Sequence, residues 1–194
     1  AMIGSHLKKR LGKRAKALNL DISSAWEDRI HGEDWFDWLG DCKFTLAVES
    51  GANVFDINYV ISDLCTSIGF ELHKARPYSA TEANKFLRLI KHYENNVDYG
   101  QISPRHFEAA ALGTVQIMYP GSYSNIFKPG KHYIEIDKNF DPDQLMESLS
   151  NSSKCEEIIQ NCLTDIIHNQ EHWIENFVGR FDEHLIKSFL NKTQ

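Results

Sequence analysis

The stretch Ser103-Pro104-Arg105-His106-Phe107-Glu108-Ala109-Ala110-Ala111-Leu112-Gly113 constrains the fold of this chain more than any other. Serine is a preferred N-cap, and proline fits the first helical position because its missing N–H has no partner there anyway. Glycine supplies the left-handed residue that ends many helices. Together they set a short helix with both ends marked. Thr114-Val115-Gln116-Ile117-Met118-Tyr119 follows at once and reads as a strand. A helix that feeds directly into an apolar strand is the closing half of a βαβ unit, which belongs to a mostly parallel sheet.

The rest of the chain repeats this alternation. Residues 5–19 have helical spacing, with Leu7, Leu11, Ala15 and Leu18 on one side. Asp34–Leu39 reads as a short helix with aromatic anchors and Gly40 as its stop. Cys42–Val48 is the best early strand, apolar enough to be covered on both faces. Helical stretches are expected over Asp56–Ile68 and Thr81–Tyr93, the latter packing through Phe86, Leu87, Ile90 and Tyr93. Pro120-Gly121-Ser122 is a turn, His132–Ile136 a short strand, and Asp141-Pro142 the start of a helix to about residue 149. Two longer helices close the chain, one on Ile158, Ile159, Cys162, Ile166 and Ile167, the other on Trp173, Ile174, Phe177, Val178, Phe181 and Leu185. The expected fold is α/β: a Rossmann-like parallel sheet flanked by helices. Residues 1–194 form one domain, on which residues 153–194 pack as a helical C-terminal extension.

Composition narrows the classes of function. A net charge of -6 argues against a general nucleic-acid binder, because phosphate contacts need clustered Lys and Arg. The one basic cluster, Lys8, Lys9, Arg10, Lys13, Arg14 and Lys16, has the spacing of a solvated helix face. Cys42, Cys65, Cys155 and Cys162 form no CxxC pair and read as reduced, mostly buried thiols of a cytoplasmic protein. No apolar run reaches the roughly 18 residues of a membrane span.

Parallel sheets bind ligands beyond the C-terminal ends of their strands. Two loops here have that placement: Glu49-Ser50-Gly51-Ala52 after the first strong strand, and Gln101–Arg105 at the capped helix start. A helix N-terminus offers unpaired N–H groups and about half a positive charge, which suits a diphosphate. Arg105 can add a bidentate guanidinium contact, and Glu108, one turn on, can accept two hydrogen bonds from a ribose diol. The plainer alternatives are a surface charge for Arg105, a dipole partner for Glu108 and a tight turn at Gly51.

Other motifs are weak. There is no GxGxxG, no GxxxxGK[ST] and no GxSxG. His168 and His172 share a helix face without a third zinc ligand and read as surface histidines. His132, beside Tyr133, reads as packing. Asp137 and Asp141 read as turn and cap residues.

At Ile102–Gly113 the sequence resembles the C-terminal domain of bacterial GT-B glycosyltransferases, especially the spore-maturation (CgeB-like) and group 1/4 type. Trp35–Asp56, with Glu49-Ser50-Gly51-Ala52-Asn53 and Asp56, is similar to the preceding strand and loop of that family. Gly121-Ser122-Tyr123-Ser124 and His132-Tyr133-Ile134 are similar to its following loop and strand, so the likeness spans roughly residues 20–180. The resemblance implies a nucleotide-sugar donor as substrate, with Glu108 on the donor ribose and Ser103–Arg105 near the diphosphate. Glu49, Ser50, Gly51, Gly121 and Tyr123 complete the implied donor site. It implies no metal and no separate cofactor, because helix dipole and cationic side chains neutralise the leaving diphosphate.

The pattern departs from the family at one point. Many relatives carry two glutamates spaced E-x7-E, whereas the place eight before Glu108 is Gly100; Glu49 is the candidate to substitute for it in space. The resemblance also implies an N-terminal acceptor-binding domain, or other domains of a longer protein, as partner. The chain alone is then expected to bind donor without transferring sugar onto a cell-surface or spore-associated glycan. The rival expectation is a non-catalytic interaction module of glycosyltransferase descent. A flavodoxin-like regulatory domain ranks lower, for want of the early acidic cluster and later lysine of a phospho-acceptor.

Overall fold

The sheet has three parallel strands in the order β1 (Phe44–Ala47), β2 (Val115–Met118), β3 (Ile134–Glu135). Phe44 pairs with Val115 and Ala47 with Met118, and Ile117 pairs with Ile134. The computed structural model describes residues 2–23, 25, 27–70 and 79–192. All four residues of β2 are buried, whereas β1 is half-buried along its length. The strand covered on both faces is therefore β2.

Helices sandwich this sheet. On one face lie α1 (Met2–Leu11) and α6 (Pro142–Ser150), where Ile3, Leu7, Leu11, Leu145 and Leu149 pack with Ile117 and Ile136. On the other lie α5 (Pro104–Ala111) and α7 (Ser152–Cys162), where Ala110, Cys155, Ile158 and Cys162 pack with Val115, Met118, Tyr123 and Tyr133. Burial of these side chains is the main stabilising term, at about 1.5–3 kcal/mol for each fully buried Leu, Ile or Met. A satellite cluster of Ile61, Cys65 and Ile90 joins α3 (Val60–Ser67) to α4 (Ala80–Ile90). Cys65, Cys155 and Cys162 are buried, Cys42 is half-buried, and all four are free thiols.

The helix ends follow the local chemistry, with some differences from expectation. The helix expected over 5–19 breaks at Gly12, where φ is +53°, and continues as a 3-10 turn, Gly12–Ala17. Gly40 does not stop α2 (Glu33–Asp41): the helix runs through it, and Cys42 caps it in extended conformation. Asn58 and Tyr59 are left-handed, so the Asp56–Ile68 segment kinks before α3 begins. Asp56 holds that start through bonds from Ile61 N–H and Ser62 N–H to its two carboxylate oxygens, each 2.9 Å. The basic cluster is exposed yet not merely solvated: Arg10 donates to the Phe140 carbonyl, and Arg14 grips the Asp143 carboxylate at the start of α6.

The C-terminal region divides in two. The α7 helix packs on the sheet and widens into a π turn, Leu163–Ile167, with Ile166 fully buried. The last helix is α8 (Ile174–Lys192). It contacts the short turn Gln170–His172, and Phe177, Val178, Phe181 and Ile186 stay 46–59% exposed. Its apolar stripe has helical periodicity, but the fold buries little of it. Among the described residues no helix is long and apolar enough to cross a membrane.

Candidate functional site

The two loops singled out by their placement after the strands meet. Ser50 and Gln101 form an antiparallel bridge with reciprocal N–H to carbonyl bonds of 2.9 Å. Tyr99 N–H donates to the Ala52 carbonyl at 3.1 Å. Further along, Asn96 holds both backbone groups of Phe55, accepting its N–H at 2.7 Å and donating to its carbonyl at 2.8 Å. Residues 50–55 are thus zipped to 96–101. Gly51 is what permits the close approach: its φ is +101°, and a Cβ there would lie 1.7 Å from the Tyr99 carbonyl oxygen. No other residue type fits that position.

The zip brings Glu49 beside Gly100. A Cβ on Gly100 would sit 3.5 Å from the Glu49 carboxylate. That carboxylate is held by the loop after β2. One oxygen accepts the Ser122 N–H at 3.1 Å, the Ser122 hydroxyl at 2.6 Å and the Tyr123 N–H at 2.8 Å. Tyr123, Ser124 and Asn125 are all left-handed, which curls the backbone of this short turn. Such a curl turns successive N–H groups toward one anion, and here the anion is the chain's own. Gly121 is confined by the same contact: a Cβ would lie 2.9 Å from the second carboxylate oxygen of Glu49 and 2.9 Å from the Tyr123 ring.

Ser103 caps α5 as the sequence predicts, with Pro104 at the first helical position and Gly113 left-handed beyond its end. The Ser103 hydroxyl accepts the Arg105 N–H at 3.3 Å. His106 completes a reciprocal cap by accepting the Ser103 N–H on Nδ1 at 3.2 Å. The first amides of the helix therefore have internal partners, and the cation at this end is the Arg105 side chain.

Arg105 and Glu108 share one neighbour, Trp35 of α2. The Arg105 guanidinium lies over the Trp35 ring, 4.9 Å from its centroid. The Trp35 indole N–H donates to Glu108 Oε2 at 2.8 Å. Trp38 stacks on Trp35 at 5.4 Å and donates its own N–H to Asp21. By sequence Trp35 is an aromatic packing anchor of a short helix. The signal for a further role is the i, i+3 pair Trp35 and Trp38 on one helix face.

Behind this rim lies a buried layer. His106 is 1% exposed, and burial pushes its pKa below the ordinary 6.5. Among the described residues its Nε2 has no hydrogen-bond partner, nor has Gln116 Oε1, although Gln116 Nε2 donates to the His106 carbonyl at 3.1 Å. Tyr123 is wholly buried against His106 and Tyr133, and its hydroxyl donates to the Tyr119 carbonyl at 2.6 Å. Burial pushes its pKa up to about 12, so it stays protonated. Tyr123 thus reaches the site through its backbone N–H alone.

The remaining candidates keep structural roles. His132 is buried, with Nδ1 accepting from Lys128 N–H and Nε2 bonded to Asp165 at 3.0 Å, while Lys131 pairs with the same carboxylate. Asp141 caps α6, and Asp137 accepts from the Asn139 N–H in a turn. Among the described residues no three His, Cys, Asp or Glu side chains converge as a metal site requires.

The candidate site is an open rim. A concavity of about 390 Å³ lies between β3 and α6, lined by residues such as Glu135, Asp137 and Gln144, and it does not reach Glu49, Arg105 or Glu108. Two polar groups are in place: the Glu49 carboxylate beside Gly100 and Ser122, and the Arg105 guanidinium with the Glu108 carboxylate on Trp35. Such a set can bind an anion beside hydroxyl groups. No protein-family model matches this sequence, and no curated protein is significantly similar to it.

Proposed function

We propose that this chain is the donor-binding domain of a GT-B type glycosyltransferase, holding a nucleoside diphosphate sugar across the rim formed by Glu49–Gly51, Arg105 and Glu108. The observation that supports it is the Ser50–Gln101 bridge, which brings the Glu49 carboxylate beside Gly100. The GT-B pattern would have its first glutamate at that place, and in this reading the Glu49 carboxylate, from the loop after β1, takes that role. In this reading Glu108 accepts from the ribose diol and Arg105 neutralises the diphosphate. Glu49 faces the sugar. Because α5 spends its first amides on its own cap, charge neutralisation falls on Arg105 more than on the helix dipole. Sugar transfer requires an acceptor and a base from elsewhere in a longer protein.

Calorimetric titration with uridine, guanosine and adenosine diphosphates and their sugar esters tests this. At least one is expected to bind, and Glu108→Ala and Arg105→Ala each to weaken it by roughly tenfold or more. A folded protein that binds none of them would contradict the proposal.

One observation favours a second reading, an interaction module that no longer binds donor: the apolar stripe of α8 lies exposed. Under that reading neither substitution changes any nucleotide titration.

A further inference from the structure

We propose that Trp35 is the positioning residue of this rim and sets a preference for ribose over deoxyribose, acting through Glu108. The inference rests on the nucleotide reading above. Arg105 and Glu108 stand three residues apart on α5, a spacing at which opposite charges on a helix ordinarily pair. They do not pair with each other here. The guanidinium is drawn onto the Trp35 π face at 4.9 Å, and the carboxylate is drawn to the Trp35 N–H at 2.8 Å. One indole thus holds two opposite charges apart, using its face for the cation and its edge for the anion.

The consequence is chemical. An Arg–Glu pair is mutually neutralised and has to be broken before either partner meets a ligand. Held separately, Arg105 stays open to a diphosphate and Glu108 to a diol. The indole N–H uses a lone pair of Oε2 only, and a carboxylate offers about four acceptor positions. A fixed carboxylate plane also makes the loss of one ribose hydroxyl costly, because a site built to bind a hydroxyl rejects the analogue that lacks it. Trp38, stacked on Trp35 and tied to Asp21, holds the indole in this orientation.

Trp35→Phe separates the two contacts: the ring face remains for Arg105 while the N–H is lost. The test compares dissociation constants for uridine, guanosine and adenosine diphosphates with those for their 2′-deoxy forms, in the wild-type chain and in Trp35→Phe. The wild type is expected to prefer the ribose form, and Trp35→Phe to lose roughly tenfold of that ratio. A merely structural Trp35 would weaken both ligands alike and leave the ratio unchanged. A measurement without substitution accompanies it: the Trp35 indole N–H resonance, assigned by its loss in Trp35→Phe, is expected to move on titration with the ribose ligand and much less with the deoxy ligand.

The outcomes separate cleanly. A wild type that binds no nucleoside diphosphate overturns the nucleotide reading and this role with it. A wild type that binds without ribose preference, or a Trp35→Phe ratio within twofold of wild type, overturns the role of Trp35 and leaves the nucleotide reading standing.

Discussion

Glu49 grips Ser122 twice, one carboxylate oxygen accepting its backbone N–H at 3.1 Å and its hydroxyl at 2.6 Å. The Tyr123 N–H completes the set at 2.8 Å. Glu49 follows β1 and Ser122 follows β2, so this contact joins the loops at the ends of two adjacent strands. The anion that a curled backbone would otherwise take from solution is supplied from within.

Removing that anion leaves the part-buried Tyr123 N–H without its partner, while the exposed Ser122 N–H can turn to water. Glu49→Ala is therefore expected to cost about 1–3 kcal/mol, and Glu49→Gln less, because the amide oxygen still accepts. Urea unfolding monitored by tryptophan fluorescence measures both. A loss below about 0.5 kcal/mol for Glu49→Ala would mean that water replaces the carboxylate and that the loop does not depend on it.

Two glycines with positive φ are expected to behave differently. At Gly51 the φ is +101° and a Cβ would meet the Tyr99 carbonyl at 1.7 Å, whereas at Gly130 the φ is +72° and nothing lies within 4 Å. Gly51→Ala should cost more than about 2 kcal/mol and open the Ser50–Gln101 bridge. Gly130→Ala should cost about 1 kcal/mol, from backbone conformation alone. Hydrogen exchange at the Ser50 and Gln101 amides reports the bridge directly. Equal effects of the two substitutions would refute the close approach as the reason for Gly51.

Stability is expected to fall on mild acidification, with His106 as a cause. Burial holds its pKa below 6.5 in the folded chain, and the hydrogen bond to the Ser103 backbone and, less, the Glu49 charge offset this in part. The unfolded chain therefore takes up a proton near pH 6.5 that the folded chain refuses. Stability from this group is full above 6.5 and is lost as pH falls toward the folded value, at up to about 1.4 kcal/mol per pH unit. The Asp143 and Asp165 carboxylates are held below the ordinary 3.8 by Arg14, and by Lys131 and His132, so their contribution is lost only at lower pH. Urea midpoints between pH 7.5 and 5 should slope downward, and His106→Gln, which keeps an acceptor for the Ser103 N–H, should flatten the slope.

Local chemistry made the framework readable from sequence. Ser103, Pro104 and Gly113 mark α5 because a cap, a lost N–H and a left-handed residue each admit few alternatives. Asp141 and Pro142 do the same for α6. Glu49 beside Gly100 was named only through the resemblance, and its grip on Ser122 was not readable at all, because both depend on a bridge between residues 50 and 101 that no local periodicity encodes. Trp35 was hidden for a related reason. An aromatic residue on a short helix packs somewhere by default, and only the crossing of α2 over α5 makes its N–H a partner for Glu108. The half-burial of β1 was not legible, because an apolar strand sequence does not say how fully its neighbours cover it.

The exposed stripe of α8 leads to the last prediction. Phe177, Val178, Phe181 and Ile186 contribute little to the stability of the domain, because folding removes only part of their surface from water. Ending the chain after Trp173 keeps the π turn, the Trp173 N–H bond to the Ile167 carbonyl and every residue of the two main core clusters. The shortened chain is expected to unfold within about 1 kcal/mol of the full one, as surface changes away from a core ordinarily do. Phe177→Ser and Phe181→Ser in the full chain should likewise leave the urea midpoint in place. They should also lower binding of an apolar-surface dye, since a contiguous apolar stripe is what such a dye reads. A loss of several kcal/mol on shortening would place α8 against the domain in solution and restore the packing that the apolar spacing of its sequence predicts.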